Sequence, residues 1–437
     1  MPFFRILTFG CKVNQFDSAM MAEALEQAGF APAPAEVRPD LVLVNTCTVT
    51  ARSDQQARQT IRRLARQYPE APLWITGCYA QRAPEVLAAL PGVAGVFGNR
   101  EKLRVAQLVA AGHGNQKPRL EVQAFKKGEP FQAGEVSRFP GHTRAWLKVQ
   151  DGCSHACTYC IVPSVRGPGR SLPPESALSS LENLAARGFQ EIVLTGVNLG
   201  QYGQDLPPAT TLAGLLNRLA QKPRPWRLRL SSLEPHEITE EIIEALTTLP
   251  SLCPHFHLPL QSGAPEILRA MNRPYHPEDF REMALKLHQR FPTVALGLDI
   301  LVGFPGETET DFEATRRLVE SLPVAYLHVF PFSPRPGTPA QTLPPVPRPL
   351  VRRRAEFMQN LGRAKKKAFY EAHLGRVGEV LVEGPAPGRP GWLRGLSANY
   401  LRVILPGPPD WRNQRLQVRY LQVVEGILAG ERVSPEG

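Results

Sequence analysis

Long apolar runs are missing from this chain of 437 residues: none approaches the roughly 18 apolar residues of a membrane-spanning helix, so no membrane partner is expected. The opening "MPFFRILTFG" lacks the charged-then-apolar layout of a secretory leader, and the cytoplasm is the expected location. Cysteine is scarce as well. Seven cysteines, an odd number in so long a chain, do not make a disulfide framework and point instead to metal binding or redox chemistry. No Ser-His-Asp arrangement and no GxxxxGK(S/T) loop stands out, so neither triad hydrolysis nor P-loop phosphate binding is indicated. No internal repeat is evident, which speaks against a solenoid. Acid is in short supply: 40 Asp and Glu face 51 Lys and Arg, and the net charge of +11 points to an anionic partner.

What is present is enough apolar sequence, 43%, for a substantial core, in a length that suits two or three domains. In the first hundred residues "FFRILTFGC", "DLVLVNTC" and "PLWITGC" read as strands, with helical patterns between them. This βαβα rhythm predicts a parallel sheet. Each of the three strands ends in a cysteine: Cys11, Cys47 and Cys78. Parallel strands share a direction, so these thiols are expected to converge on the sheet edge where α/β folds bind ligands. Residues 113–140 lose periodicity and read as a connector.

From "AWLKVQDG" to "YLHVFPF" six strand patterns alternate with helical ones, predicting a partial (β/α)6 barrel with its chemistry at the strands' C-terminal ends. Pro-rich "PRPGTPAQTLPPVPRPL" closes that run. "VRRRAEFMQNLGRAKKKAFY" follows, with seven positive charges against the single Glu356; Arg352, Arg353, Arg354, Lys365, Lys366 and Lys367 are the expected RNA contacts. The Arg-rich helix around Arg62 and Arg63 is a second basic face. The end of the chain reads as short alternating strands of a small β-barrel, with Trp392, Tyr400, Trp411 and Tyr420 as candidate core or base-stacking aromatics. The fold class is therefore α/β with an appended β-barrel. Its expected division is an N-terminal domain at 1–114, a linker at 115–139, a central barrel at 140–369 and a β-barrel at 370–437.

Cys153, Cys157 and Cys160 lie in "DGCSHACTYCIVP", directly after the first barrel strand. Three thiolates suit a 4Fe-4S cluster whose fourth iron stays open. Zinc would need a water or a distant fourth ligand, for which Cys253 is available, although Cys253 reads better as an inert buried thiol. His155, His255 and His257 read as packing or hydrogen-bonding residues.

CxxxCxxC with Tyr159 before its last cysteine resembles the radical S-adenosylmethionine superfamily. "TFGCKVNQFDS", "VNTCTVT", "ITGCYAQ", "RLSSLEP", "HLPLQSG", "MNRPY", "DILVGFPGET" and "VFPFSPRPGTPA" stand in the order of the methylthiotransferase family. That resemblance covers nearly the whole chain. It implies an auxiliary 4Fe-4S cluster on Cys11, Cys47 and Cys78, a radical core on Cys153, Cys157 and Cys160, and a C-terminal RNA-binding TRAM barrel. "GCKVNQ" resembles the members acting on N6-threonylcarbamoyladenosine at tRNA position 37, more than "GCQMNEYDS" of the isopentenyladenosine enzymes or "GCPKN" of the ribosomal-protein enzymes. "SHA" between Cys153 and Cys157 departs from the bulkier residues common there. The implied reaction uses two molecules of S-adenosylmethionine, a reductant such as flavodoxin or ferredoxin, a sulfur source, and the tRNA anticodon loop as substrate. Tyr159, Thr195, Gly196, Ser231, Glu234 and Gln261, at the ends of barrel strands or in the cysteine loop, are the implied cofactor contacts; Ser232, Ser262 and Asp299 lie nearby. The alternatives are the same chemistry on isopentenyladenosine or a ribosomal-protein aspartate, or a non-catalytic iron-sulfur RNA-binding protein.

Overall fold

The computed structural model describes residues 1–112, 117–126, 128–132 and 134–433. Residues 113–116, 127 and 133 of the expected connector, and 434–437 of the expected C-terminal barrel segment, lie outside the described residues.

The first part of the chain runs β1 (Phe3–Thr8), α1 (Lys12–Gln27), β2 (Ala31–Pro32), β3 (Leu41–Thr46), α2 (Ala51–Gln67) and β4 (Leu73–Gly77). It continues with α3 (Cys78–Arg82), α4 (Pro84–Ala88), β5 (Val93–Phe97), α5 (Val105–Ala110) and β6 (Arg119–Glu121). All six strands are parallel, in the order β2-β1-β3-β4-β5-β6. The runs "LVLVNT" and "LWITG" are buried along their whole length, as sheets covered on both faces require. Thr50 caps α2 by accepting from the Ser53 N–H, with Asp54 in the first turn and Arg66 in the last, which suits the helix dipole. The edge strand β6 falls within the segment expected as a linker. Backbone donors freed by a strand ending must be paired, and Gly98 N–H bonds to Glu121 O at 2.9 Å.

The central part begins with β7 (Arg144–Lys148), β8 (Gln150–Asp151), α6 (Val162–Arg166), β9 (Arg170–Ser171), α7 (Pro174–Ala186) and β10 (Glu191–Thr195). Then come α8 (Leu212–Ala220), β11 (Arg227–Leu230), α9 (Glu240–Thr247), β12 (His255–Gln261), α10 (Pro265–Ala270) and α11 (Pro277–Arg290). β13 (Ala295–Val302), α12 (Glu309–Ser321) and β14 (Tyr326–Pro331) complete it. The six long strands form an open barrel in two parallel halves, β11-β10-β7 and β12-β13-β14. The halves meet loosely: the first N–H of β12 turns back to Cys253 O (2.7 Å), and Leu233 N–H crosses to His257 O (3.1 Å). The short pair β8–β9 pinches the base of the cysteine loop. Gly152 sits there at φ +76°, and a Cβ would lie 2.0 Å from Pro168 O, so only glycine fits.

The open side of the barrel is covered by the N-terminal sheet. Phe4, Phe16, Met20, Leu43, Trp74 and Phe97 share one buried cluster with Phe139, Trp146 and Leu147. At the other rim Ala51 N–H bonds to Ser333 Oγ (3.0 Å), and Arg335 pairs with Asp54. The long helix α13 (Arg348–Glu371) leads to β15 (Val377–Pro385), β16 (Trp392–Ser397), β17 (Arg402–Pro406), β18 (Arg415–Val424) and β19 (Ile427–Arg432), a closed barrel ordered β15-β16-β17-β19-β18. Its core is Val380, Val382, Leu393, Leu401, Val403, Leu405, Val418 and Tyr420.

Candidate functional site

β1, β3 and β4 are neighbours, so the cysteines that follow them come together at one sheet edge. Cys11 caps α1 and is exposed, Cys47 is half-buried, and Cys78 opens α3 and is buried. Gly77 holds φ +97° just before it, where a Cβ would lie 2.3 Å from Thr46 O. A Cβ on Gly10 would lie 3.1 Å from Cys47 Sγ, so the loops that carry Cys11 and Cys47 touch. Burial, then the charge of Cys78, pushes the Cys47 thiol up to about 12.

The second set follows β8. Burial raises Cys153 to about 11, and burial with the charges of Cys157 and Cys153 raises Cys160 to about 12. Cys157 Sγ accepts from Arg273 Nη1 at 3.4 Å. Among the described residues, two groups of three His, Cys, Asp or Glu have ligand atoms within 4.8 Å of one another, His155/His236/Glu237 and His257/Asp299/His328, and neither contains a cysteine. Thiolates on one tetrahedral zinc sit about 3.8 Å apart, given bonds of about 2.3 Å. Both cysteine sets are wider than that. A cluster that places each thiolate on a different iron suits the spread, the soft donors, and the need of these thiols for a metal to deprotonate them.

The two sets adjoin. Cys78 packs on Ile161 and Val165, at the start and flank of α6, which directly follows Cys160. Arg166, the last residue of α6, bonds to Asp151 (2.8 Å), Asp17 (3.1 Å) and Asn14. Asp17 also binds Lys102 and Lys148, each at 2.7 Å. Burial works against ionised Asp17, yet Lys102, Lys148 and Arg166 hold its carboxyl well below the usual carboxylate range. Three cations against Asp17 and Asp151 leave a positive surplus beside Cys11 and Cys78, suited to an anionic cluster.

The strand ends carry the remaining expected contacts. Thr195 Oγ1 and Asn198 Oδ1 are buried without a hydrogen-bond partner among the described residues, and so are free to meet polar groups of a cofactor. Gly196 N–H donates to Ser231 Oγ (3.3 Å), and a Cβ on Gly196 would lie 2.8 Å from Gln150 Oε1. Glu234 pairs with Arg273, and burial outweighs that pairing to raise its carboxyl. Tyr159 stands edge-on to Phe304 with centroids 6.4 Å apart, and Gln261 takes φ +65° at a bulge. Glu237 joins the cysteine loop to β10's end by accepting from His155 Nε2 and Asn198 Nδ2, both at 2.9 Å. That hydrogen bond raises His155 against the effect of burial. On the barrel's inner wall Asp299 binds His257 (2.9 Å) and His328 (3.4 Å). Gln150, Glu237, Arg273, Asp17 and Arg166 carry this site without having been expected; the available signal was a charge or amide inside an otherwise buried stretch, as in "AWLKVQ".

The expected RNA contacts divide. Arg354 is a correction: it is buried on α13 and paired with Glu307 (2.7 Å) and Glu309 (3.0 Å), because the helix turns this residue toward the loop after β13. Lys365 donates to Glu320 O (2.6 Å) and Leu322 O (2.8 Å), neutralising the C-terminal end of α12. Arg352, Arg353 and Lys367 are exposed, and Lys366 lies over Tyr370. Arg352 lines a groove of about 980 Å³ with Arg348 and Arg363, running from the end of β14. The C-terminal aromatics are not a free stacking platform. Tyr420 is core, Trp411 lies under Arg432, Trp392 packs beside Ile404, and Tyr400 stacks on His255 at 3.9 Å on the barrel floor.

The family model described as uncharacterized protein family UPF0004 matches residues 4–98, and that of the radical SAM superfamily matches residues 147–319. Threonylcarbamoyladenosine tRNA methylthiotransferase MtaB of Rickettsia prowazekii is 36% identical over 379 residues, 86% of this chain and 87% of its own. Its namesake in Bacillus subtilis is 34% identical over 419 residues, 95% and 93% of the two chains. The tRNA-2-methylthio-N(6)-dimethylallyladenosine synthase of Moorella thermoacetica is 33% identical over 437 residues, 98% of each. Among solved structures, the radical S-adenosylmethionine methyltransferase TsrM of Kitasatospora setae superposes with a TM-score of 0.57 at 18% identity, covering 78% of this chain and 77% of that one, a likeness of fold.

Proposed function

The chain belongs to the radical S-adenosylmethionine tRNA methylthiotransferases, and from that premise we propose that it converts N6-threonylcarbamoyladenosine at tRNA position 37 to its 2-methylthio derivative. The relatives of highest identity given above carry the threonylcarbamoyladenosine name, and "GCKVNQ" agrees with them. The observation that carries the chemistry is the joining of two three-cysteine sets across α6, which holds both edges against one interior.

In this proposal Cys153, Cys157 and Cys160 hold one 4Fe-4S cluster and Cys11, Cys47 and Cys78 hold a second. When bound, the clusters and S-adenosylmethionine supply the electron, the radical that removes the adenine C2 hydrogen, and the sulfur and methyl that replace it. The chain's own residues fix the geometry. Glu237 holds His155 in the cysteine loop, Arg273 holds Glu234 and touches Cys157, and Thr195 and Asn198 offer buried polar atoms to the cofactor. The N-terminal sheet covers the barrel's open side and keeps water from the reacting base. Arg348, Arg352 and Arg363 border a groove leading from the strand ends, a path for anticodon-loop phosphates. A flavodoxin or ferredoxin would deliver electrons, and a separate sulfur source would restore the product's sulfur. No helix among the described residues is long and apolar enough to cross a membrane, and the proposed location is the cytoplasm.

The test is nucleoside mass spectrometry of tRNA from cells with and without the protein. Loss of 2-methylthio-N6-threonylcarbamoyladenosine is expected. Loss of only the 2-methylthio isopentenyl nucleoside would move the assignment to the other tRNA substrate.

A further inference from the structure

His257, Asp299 and His328 come from the adjacent strands β12, β13 and β14 and meet on one face of the barrel wall. The register sets Asp299 beside His328, and Gly297 beside both Tyr326 and His257. Side chains alternate along a strand, so Tyr326 and His328 share a face that Leu327 does not. Leu327 faces α13, where a Cβ on Gly362 would lie 3.1 Å from its own Cβ, so the other face looks into the barrel. There Asp299 Oδ1 lies 2.9 Å from His257 Nε2 and 3.4 Å from His328 Nδ1. Neither approach is a hydrogen bond: Asp299 Oδ1 is buried and has no hydrogen-bond partner among the described residues. Close donors without hydrogen-bond geometry are what a shared ion produces. Bonds of about 2.1 Å at right or tetrahedral angles set ligand atoms about 3.0–3.4 Å apart, with lone pairs converging on the ion.

His257 is also held in place for this. Its other ring nitrogen, Nδ1, hydrogen-bonds with Tyr326 Oη at 3.2 Å, and the same Oη meets His255 Nε2 at 2.8 Å. Tyr326 reaches both by crossing Gly297, where a Cβ would lie 2.0 Å from its ring. An outer hydrogen bond of this kind fixes the ring and tautomer of metal-binding histidines. The group His155, His236 and Glu237 lacks this signature, because Glu237 Oε1 already accepts from His155 and Asn198. The His257 and Asp299 side chains are only 12% and 22% exposed, whereas His328 is 54% exposed, so the way in lies on the His328 side. We propose that His257 Nε2, Asp299 Oδ1 and His328 Nδ1 bind one divalent transition-metal ion, with no cysteine among its ligands. Two imidazoles and one carboxylate suit iron(II) or zinc with open positions, whereas calcium and magnesium take oxygen throughout. The free positions take water or an oxygen of whatever enters the barrel interior. The assignment holds whichever nucleoside is the substrate.

Zinc is the probe, since it suits imidazole and can be counted apart from cluster iron. The full reconstituted chain, cleared of loosely held iron with a weak chelator, is dialysed anaerobically against micromolar zinc, and both metals are counted by mass spectrometry. One zinc per chain is expected at unchanged iron content. X-ray absorption at the zinc edge should show nitrogen and oxygen neighbours alone, at about 2.0–2.2 Å. Asp299→Asn and His328→Gln should each lose this zinc while keeping their iron. His328 is exposed, so its variant reads the site even where Asp299→Asn fails to fold. Tyr326→Phe should bind zinc about ten- to a hundredfold more weakly, the usual effect of removing an outer hydrogen bond. A sulfur shell at about 2.3 Å would put the zinc on cysteines and overturn the assignment. Zinc uptake undiminished in His328→Gln, or absent from the unaltered protein, overturns it too.

Discussion

Arg273 has every N–H committed: to Tyr275 Oη (3.3 Å), Cys157 Sγ (3.4 Å), Pro259 O (3.1 Å) and both oxygens of Glu234. A fixed cationic donor on a cluster thiolate stabilises the reduced form, since hydrogen bonds to sulfur set cluster potentials. Arg273→Lys should therefore lower the midpoint potential of the radical cluster in a spectroscopically monitored redox titration, at unchanged iron content. An unmoved potential would show that the contact only braces Glu234. The thiols themselves give a second expectation. Without iron, Cys11 is exposed while burial holds Cys47 and Cys160 near 12, and only thiolate alkylates. Iodoacetamide at neutral pH should label Cys11 before those two, as peptide mass spectrometry would show. With iron, Cys157→Ala should abolish cleavage of S-adenosylmethionine, whereas Cys47→Ala should keep cleavage and lose methylthiolation. The gathering of Cys11, Cys47 and Cys78 at one sheet edge, and of Cys153, Cys157 and Cys160 in one loop, was legible because strand endings and local spacing displayed them. Asp17 was not: its partners Lys148 and Arg166 lie 131 and 149 residues away, and no local pattern encodes such a pairing.

At the scale of elements, α13 shows how a charge count misleads. The seven positive charges at 351–370 looked like one RNA surface, but a helix presents successive residues about 100° apart, so one run of basic residues faces several neighbours. Arg354 faces Glu307 and Glu309, and Lys365 faces the end of α12. Replacing Arg352, Arg353, Lys366 and Lys367 should flatten the salt dependence of tRNA binding by up to about four log–log units, one per lost phosphate contact. Arg354→Gln should leave that slope alone and destabilise the protein by about 3–5 kcal/mol, the usual result of orphaning a buried charge. Melting curves and salt titrations of the two variants separate these effects. The strand and helix alternation was legible throughout, because its periodicity is local. The division of the barrel arc at β11 and β12 was not, since it depends on which N–H groups find partners across the gap.

For the whole molecule, the C-terminal barrel is part of the radical barrel's floor. Arg227 donates to Leu396 O (2.8 Å), Arg229 to Ser397 O (3.2 Å) and Ala398 O (3.0 Å), and Tyr400 covers His255. Removing residues 370–437 is therefore expected to expose this floor and lower the melting temperature, as well as to weaken RNA binding. Glu191 anchors the joint. Burial opposes its charge, but Arg229 and Arg227 hold its carboxyl far below the usual range. A depressed carboxylate gives stability that is full above its unfolded value, about 4.3, and is lost as pH falls through the folded value. Glu191→Gln should thus lower the melting temperature throughout the neutral range, with the gap to the unaltered protein closing only under strong acid.

Helix α6 has a further consequence, for chain length. From Cys160 to Arg166 the backbone is a spacer of fixed count: one end carries the last cysteine of the loop, the flank rests on Cys78, and the far end locks into Asp17. An added residue inside it would turn Arg166 by about 100° and carry it away from its carboxylates. This segment should tolerate substitution far better than insertion or deletion: one residue added between Cys160 and Arg166 is expected to cost more stability in a melting curve than any single exchange of Pro163 or Ser164.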